Sequence, residues 1–278
     1  MRLKEPGPIL VVDLFPETLD ALIELLSGLS DDEWEKPTSA GSWTVKQIAQ
    51  HLLGGDIGVL SRKRDLYLYS GSPIIGWDEL VALINELNAV WVKATNRLSP
   101  RMLCDLLRFA GDQVSEYYGT LDQFSMGDPV DWAGGGAAPV WLDLAREYTE
   151  RWHHQQQIRD AVGKPGLKEP KYMAPVLDAF VRALPHTYRN VEAEEGTLVK
   201  LTITGESGGT WFIRRENGRW SLYIDVEREP AAEVAIDEDT AWRLFTKGVK
   251  RDEAQKKASL SGDQSLGVKS LEMISIIG

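Results

Sequence analysis

Apolar residues recur every three or four positions along the first two thirds of the chain, and runs with a period of two enter only in the last third. Leu19, Leu22, Ile23, Leu25 and Leu26 predict a helix over Pro16 to Leu29, and Asp31-Asp32 opens a short second turn or helix. Thr44 with Gln47 three residues later has the form of a capping box, and Val45, Ile48, Ala49, Leu52 and Val59 carry that helix onward. Trp77 to Leu98 and Arg101 to Leu121 predict two more helices, divided at Ser99-Pro100. Residues 125–139, rich in glycine and proline, are expected to be loop. Trp141 to Val162 then reads as a long helix stopped by Gly163-Lys164-Pro165-Gly166, and a further helix is expected over 173–192.

From Thr197 the period becomes two. Val199, Leu201 and Ile203 alternate with polar residues, as do Trp211 and Ile213, and then Trp220, Leu222, Ile224 and Val226. Glycine turns at Gly205 to Gly209 and at Asn217-Gly218 join these strands. Asp237 to Phe245 is expected as a helix, Ala258 to Leu260 as a short strand and Ser265 to Ile276 as a closing helix. The expected fold class is α followed by α+β: a helical bundle over 1–170, then an α+β domain with a leading helix and an antiparallel sheet over 171–278.

Composition narrows the function classes. The chain has 278 residues, 43% of them hydrophobic, enough to build a core in each half. Its 31 Lys and Arg against 42 Asp and Glu give a net charge of −11, and Arg62-Lys63-Arg64 is too short to act as a nucleic-acid patch, so neither a nucleic-acid partner nor a membrane is expected. A single cysteine, Cys104, excludes an internal disulfide framework and fits a reducing, cytoplasmic setting; its apolar helical surroundings mark it as core. Ile9 to Val12 is too short for a signal sequence, and no apolar run approaches a membrane span.

The candidate chemistry lies in Glu150-Arg151-Trp152-His153-His154, read with His51. Glu150 and His154, four apart, project from one side of a helix and could grip a cation while His51 reaches in from another helix. His153, three from Glu150, could take the same role, and spacing does not choose between the two. At about 100° per residue the apolar stripe of the long helix is Trp141, Leu144, Ala145, Tyr148 and Trp152, which puts Asp143, Glu147, Glu150, His154 and Gln157 on the opposite side, the position of a solvated face. Against that, Trp152, His153, Gln155, Gln156, Gln157 and Ile158 crowd both faces, and Gly54, Gly55 and Gly58 beside His51 ask for open space or close helix approach. Arg62, Arg64, Arg97 and Arg159 could hold a substrate carboxylate. His186 is expected at the surface or a domain junction. Gly205-Glu206-Ser207-Gly208-Gly209 matches a nucleophile-elbow pattern but lies between strands with no histidine after it, so it is expected to be a hairpin turn. Gly134-Gly135-Gly136 lacks the residues of a phosphate loop.

Gly41-Ser42-Trp43-Thr44-Val45 through His51-Leu52, with Gly55-Asp56 following, resembles the "GWTV…HL…GD" segment of the mycothiol-dependent maleylpyruvate isomerase family, within the DinB-like helical-bundle superfamily. Glu150-x-x-x-His154 resembles that family's other metal segment, and the likeness extends over most of residues 15–163. It implies a DinB-like, four-helix-type bundle with His51, Glu150 and His154 as ligands of a divalent metal, zinc by expectation, and it excludes His153. Asp56, Gln157 and Arg159 become candidates for the surrounding shell or the substrate. The carboxy-terminal part is similar in pattern to a sterol-carrier-like domain. The resemblance implies a transferase or isomerase whose nucleophile is a low-molecular-weight thiol of the mycothiol, bacillithiol or glutathione type, attacking a small electrophilic substrate. A metal-dependent hydrolase and a non-catalytic metal- or ligand-binding protein are the alternatives. Gln157 stands where many relatives carry Asp.

Overall fold

A computed structural model describes residues 3–67, 77–130, 133 and 137–275. The chain divides into two compact units, a helical one formed by 12–122 and 150–167 and a sheet-containing one formed by 1–11, 123–149 and 168–276.

The helical unit holds α1 (Leu14–Ser27), α2 (Asp31–Trp34), α3 (Val45–Val59), a π-helical turn (Leu60–Arg64), α4 (Trp77–Thr95), α5 (Pro100–Gly119) and the second part of α6 (Val140–Val162). The amphipathic stripe foreseen for α1 is buried at Leu19, Leu22, Leu25 and Leu26. The start of α3 is fixed by the capping box. Thr44 Oγ1 accepts from the Gln47 backbone N–H, and Gln47 Oε1 accepts from that of Thr44 at 2.9 Å. A second box, Ser30 with Glu33, starts α2, and Ser99 followed by Pro100 starts α5. Both α1 and α3 pack on α5, while α4 packs on α3. Ile48, Ala49, Leu103, Leu107 and Ala110 form the fully buried centre.

The three glycines of α3 divide their roles. A Cβ on Gly54 would lie 2.8 Å from the Trp91 ring of α4, whose Nε1 donates to the Gln50 carbonyl at 2.7 Å; Gly54 therefore permits close approach of the two helices. Gly55 and Gly58 are exposed and face open space.

In the other unit, β4 (Leu198–Thr204), β5 (Gly209–Glu216), β6 (Arg219–Tyr223), β8 (Ala232–Asp237) and β9 (Ser259–Gly262) form one sheet in the order β6-β5-β4-β8-β9. The expectation of an antiparallel sheet is corrected at one pair, since β4 and β8 run parallel. β8 is the unforeseen strand: Ala232, Val234 and Ile236 alternate inward, a period-two signal of only six residues. Two short strands, β1 (Leu3–Lys4) and β7 (Asp225–Val226), pair separately. Residues 125–139 contain a hairpin of β2 (Met126–Pro129) and β3 (Ala137–Pro139) instead of only loop, and Gly134-Gly135-Gly136 lies outside the described residues.

The single helix expected over 173–192 is two, α7 (Pro170–Val181) and α8 (Leu184–Thr187). Pro185 has no N–H to offer and its ring would meet the Val181 carbonyl, so the helix restarts there. α9 (Glu238–Phe245) is capped by Asp237, and α10 (Arg251–Lys257) was not foreseen. The closing helix is shorter than expected, α11 (Gln264–Lys269) followed by a 3-10 turn at Ser270–Glu272. Gly205 to Gly209 is the β4–β5 turn, with Ser207 buried and its backbone N–H donating to Glu238. Among the described residues no helix is long and apolar enough to cross a membrane.

The division among the glycines is testable by thermal unfolding. Gly54→Ala is expected to displace Trp91 and cost about 1–3 kcal/mol, the usual penalty for overpacking, whereas Gly55→Ala should stabilise by about 0.5–1 kcal/mol through helix propensity. Equal effects of the two would refute the close-approach role of Gly54.

Candidate metal centre

The part of α6 from Tyr148 to Ile158 is buried nearly all round. His153, His154, Gln155, Gln156 and Gln157 are all buried, so the side of the helix that periodicity alone assigns to solvent is covered at His154 and Gln157. Buried polar groups need partners. Trp152 Nε1 donates to the Leu167 carbonyl at 2.7 Å, Gln155 Nε2 to the Thr18 carbonyl and Gln156 Nε2 to the Gly166 carbonyl, both at 3.0 Å.

His154, Glu150 and His51 come together. One ligand atom from each lies within 4.8 Å of the others, although His51 is a hundred residues from the helix that carries the other two. The His51 and His154 rings meet edge to face with centroids 4.8 Å apart, and Glu150 Oε2 is 3.5 Å from His154 Nε2. The other ring nitrogen of His154, Nδ1, is 2.8 Å from Gln157 Oε1. That amide oxygen only accepts, so Nδ1 carries the proton and donates. In neutral His154 this leaves the Nε2 lone pair directed at a carboxylate, an arrangement that asks for a cation between them, whether a proton or a metal ion. His51 Nδ1 is buried with no hydrogen-bond partner, and the Asn88 side chain of α4 hydrogen-bonds the same ring. The converging residues make a donor set of two imidazoles and one carboxylate, which fits a divalent ion.

Burial pushes the His51 imidazole down to about 4, and the neighbouring His154 acts in the same direction, against Glu150 and the Asn88 hydrogen bond. For Glu150 burial works upward. The hydrogen bond from His154 and the charges of His153, His154 and His51 outweigh it and hold the carboxyl at about 2. Near neutral pH His51 is therefore neutral and Glu150 ionised, the protonation states in which each can donate a lone pair to a metal.

The walls come from elements that periodicity did not single out. Trp43 packs on His51, ring centroids 5.1 Å apart. It is held by a tight loop in which Thr38 donates through both its backbone N–H and its hydroxyl to the Trp43 carbonyl, and Gly41 takes a left-handed conformation at φ +60°. His153 stacks against His154 at 4.0 Å but is not in the group of converging ligand atoms. Asp56, on α3, pairs with Arg151 at 2.6 Å. Arg159 turns out to be a clamp: its guanidinium donates to Gln155 Oε1 and to the carbonyls of Ala21 and Lys164. Arg64 is engaged by Asp65 and Gln113. Arg62 and Arg97 are exposed, His186 is half-buried, and Cys104 is buried within α5 as expected.

This combination of helical unit, sheet unit and converging His, Glu and His defines a class. The mycothiol maleylpyruvate isomerase N-terminal domain model matches residues 15–159, and the chain belongs to that family. A solved structure of the mycothiol-dependent maleylpyruvate isomerase superposes with a TM-score of 0.51 at 13% identity, covering 84% of this chain and 86% of that one. A mutant of the mycothiol-dependent maleylpyruvate isomerase gives 0.53 at 12% identity, over 90% and 91%. At these identities the likeness is one of fold. No curated protein sequence matches the chain.

Both pKa shifts have the same consequence for the metal-free protein. His51 takes its proton near 6.5 when unfolded and near 4 when folded, so its contribution is complete above pH 6.5 and is lost as pH falls through 4. Glu150 contributes fully above 4.5 and loses that contribution as pH falls through 2. Urea midpoints of chelator-treated protein should therefore drop between pH 6.5 and 4, and His51→Gln should flatten that drop; an identical pH profile in the variant would contradict the shift.

Proposed function

We propose that the protein is a divalent-metal-dependent enzyme that activates a low-molecular-weight thiol of the mycothiol, bacillithiol or glutathione type for attack on a small electrophile, in the manner of a maleylpyruvate isomerase or a thiol S-transferase. His51, Glu150 and His154 are the proposed ligands and zinc the proposed metal. The observation that carries the reading is the convergence of three donor atoms within 4.8 Å, supported by membership of the family. A DinB-like bundle for the helical unit, a sterol-carrier-like architecture for the sheet unit and a cytoplasmic location belong to the same reading.

When bound, such an ion supplies positive charge that lowers the pKa of a thiol towards neutrality and leaves coordination room for a substrate. The residues of the chain prepare for it. Glu150 and neutral His51 need no proton displaced near pH 7. Gln157 holds His154 by its Nδ1–H, which fixes the tautomer and turns Nε2 towards Glu150. An amide in that position orients the ring without the negative charge a carboxylate would add. Trp43 closes one side of His51 and excludes water from that face. No protein thiol takes part, because Cys104 is buried in α5 with its pKa raised by burial. The sulfur nucleophile therefore has to come from a cosubstrate.

Two measurements test this. Elemental analysis should find zinc in the wild type and in His186→Ala but little in His51→Ala, Glu150→Ala or His154→Ala; equal content in all would overturn the ligand set. Gln157→Ala should weaken zinc binding by about 10–100-fold. Purified protein offered maleylpyruvate or another small electrophile should turn it over only when mycothiol, bacillithiol or glutathione is added, and turnover independent of thiol would instead indicate a hydrolase.

A further inference from the structure

We propose that the ion pair between Asp56 and Arg151 sets the position of α6 against α3, and so the separation of His51 from Glu150 and His154. The role rests on the metal reading above and adds a positioning pair to it. Arg151 Nη2 lies 2.6 Å from Asp56 Oδ1, and the side chains are only 17% and 7% exposed. The guanidinium sits 5.4 Å from the Phe15 ring centroid on α1 and 5.8 Å from that of Tyr118 on α5, and those two rings pack on each other at 4.7 Å. One cation is thus held by residues from three other helices.

Its place in the chain gives it leverage on the site. Arg151 directly follows Glu150 and is three residues before His154, while Asp56 is five residues after His51. At a rise of about 1.5 Å per residue, Arg151 stands about 1.5 Å along the axis from Glu150 and about 4.5 Å from His154. A slide or rotation of α6 that lengthened the ion pair would shift both proposed ligands by a similar amount. Metal–ligand distances tolerate only about 0.2 Å.

An apolar contact at this point would hold the helices together at least as firmly, since buried ion pairs gain little stability over hydrophobic replacements. It would not choose one alignment among several of nearly equal packing. A charge-assisted hydrogen bond of 2.6 Å does, because its energy falls steeply with distance and angle. Asp56, Arg151, Phe15 and Gln155 line a cavity of about 30 Å³, so the side chains beside the pair are not fully close-packed.

The experiment measures zinc affinity by chelator competition on the full chain, together with the visible spectrum of the cobalt-substituted protein. Asp56→Asn and Arg151→Lys are compared with wild type, with His51→Ala as the control for the metal reading. Leu103→Ala, which empties a fully buried site elsewhere on α5, serves as the control for general destabilisation. All are assayed well below their unfolding temperatures. Asp56→Asn is expected to weaken zinc binding by about 10–100-fold and to change the cobalt spectrum. Arg151→Lys, which keeps the charge but not the planar fork, is expected to fall between it and wild type, and Leu103→Ala to bind zinc as wild type does. Affinity in Asp56→Asn within two-fold of wild type, or an equal loss in Leu103→Ala, overturns the positioning role while loss of zinc in His51→Ala leaves the metal reading standing. Absence of zinc binding by wild type overturns both.

Discussion

The middle of α6 buries polar side chains on nearly every side, and in a protein interior each of them must find a partner or destabilise the fold. That demand organises the helical unit. Gln155 and Arg159 reach the carbonyls of α1, Gln156 and Trp152 reach the loop after α6, and Arg151 reaches Asp56 on α3. Together these contacts draw three segments, α1, α3 and the following loop, against the same helix. Within the group formed by His51, Glu150 and His154, His51 Nδ1 is buried without a hydrogen-bond partner.

Rigidity and chemistry are therefore linked through one element. The partners that satisfy Gln155, Gln156 and Trp152 hold α6 to α1 and to the loop that follows it, and Gln157 fixes which nitrogen His154 turns inward. The capping box at Thr44 and the pinned loop before it fix where α3 begins and where Trp43 stands against His51. Gly54 lets α4 approach closely enough for Trp91 to reach the backbone of α3 and for Asn88 to reach His51. A site made from residues a hundred positions apart needs all of these supports, since His51 stands on one helix and Glu150 and His154 on another.

Local signals were legible wherever they were strong. Thr44 with Gln47, Ser99-Pro100, Gly163 and the alternation from Val199 to Ile203 each marked a boundary or an element found in the structure. Weak or brief signals were missed. Ala232 to Asp237 offers three inward residues, too few to announce a strand, and it is this strand that makes the sheet mixed. Arg159 has the residue type of a substrate-binding group, but its donors meet Gln155 and backbone carbonyls brought to it by folding. Asn88 carried no local signal, because an asparagine on an exposed-looking helix is the same letter whether or not a histidine from another helix lies beside it.

By itself the sequence determined which residues can form helices and strands, and which side chains have the chemistry to hold a cation. The spacing of Glu150 and His154 is a property of one helix and could be read directly. The periodicity of α6 pointed the same two residues towards solvent, and only the tertiary structure decided otherwise, by covering that face and bringing His51 to it. Periodicity reports how a helix divides its own surface. What covers each side depends on contacts between residues distant in the chain, and those exist only once it has folded.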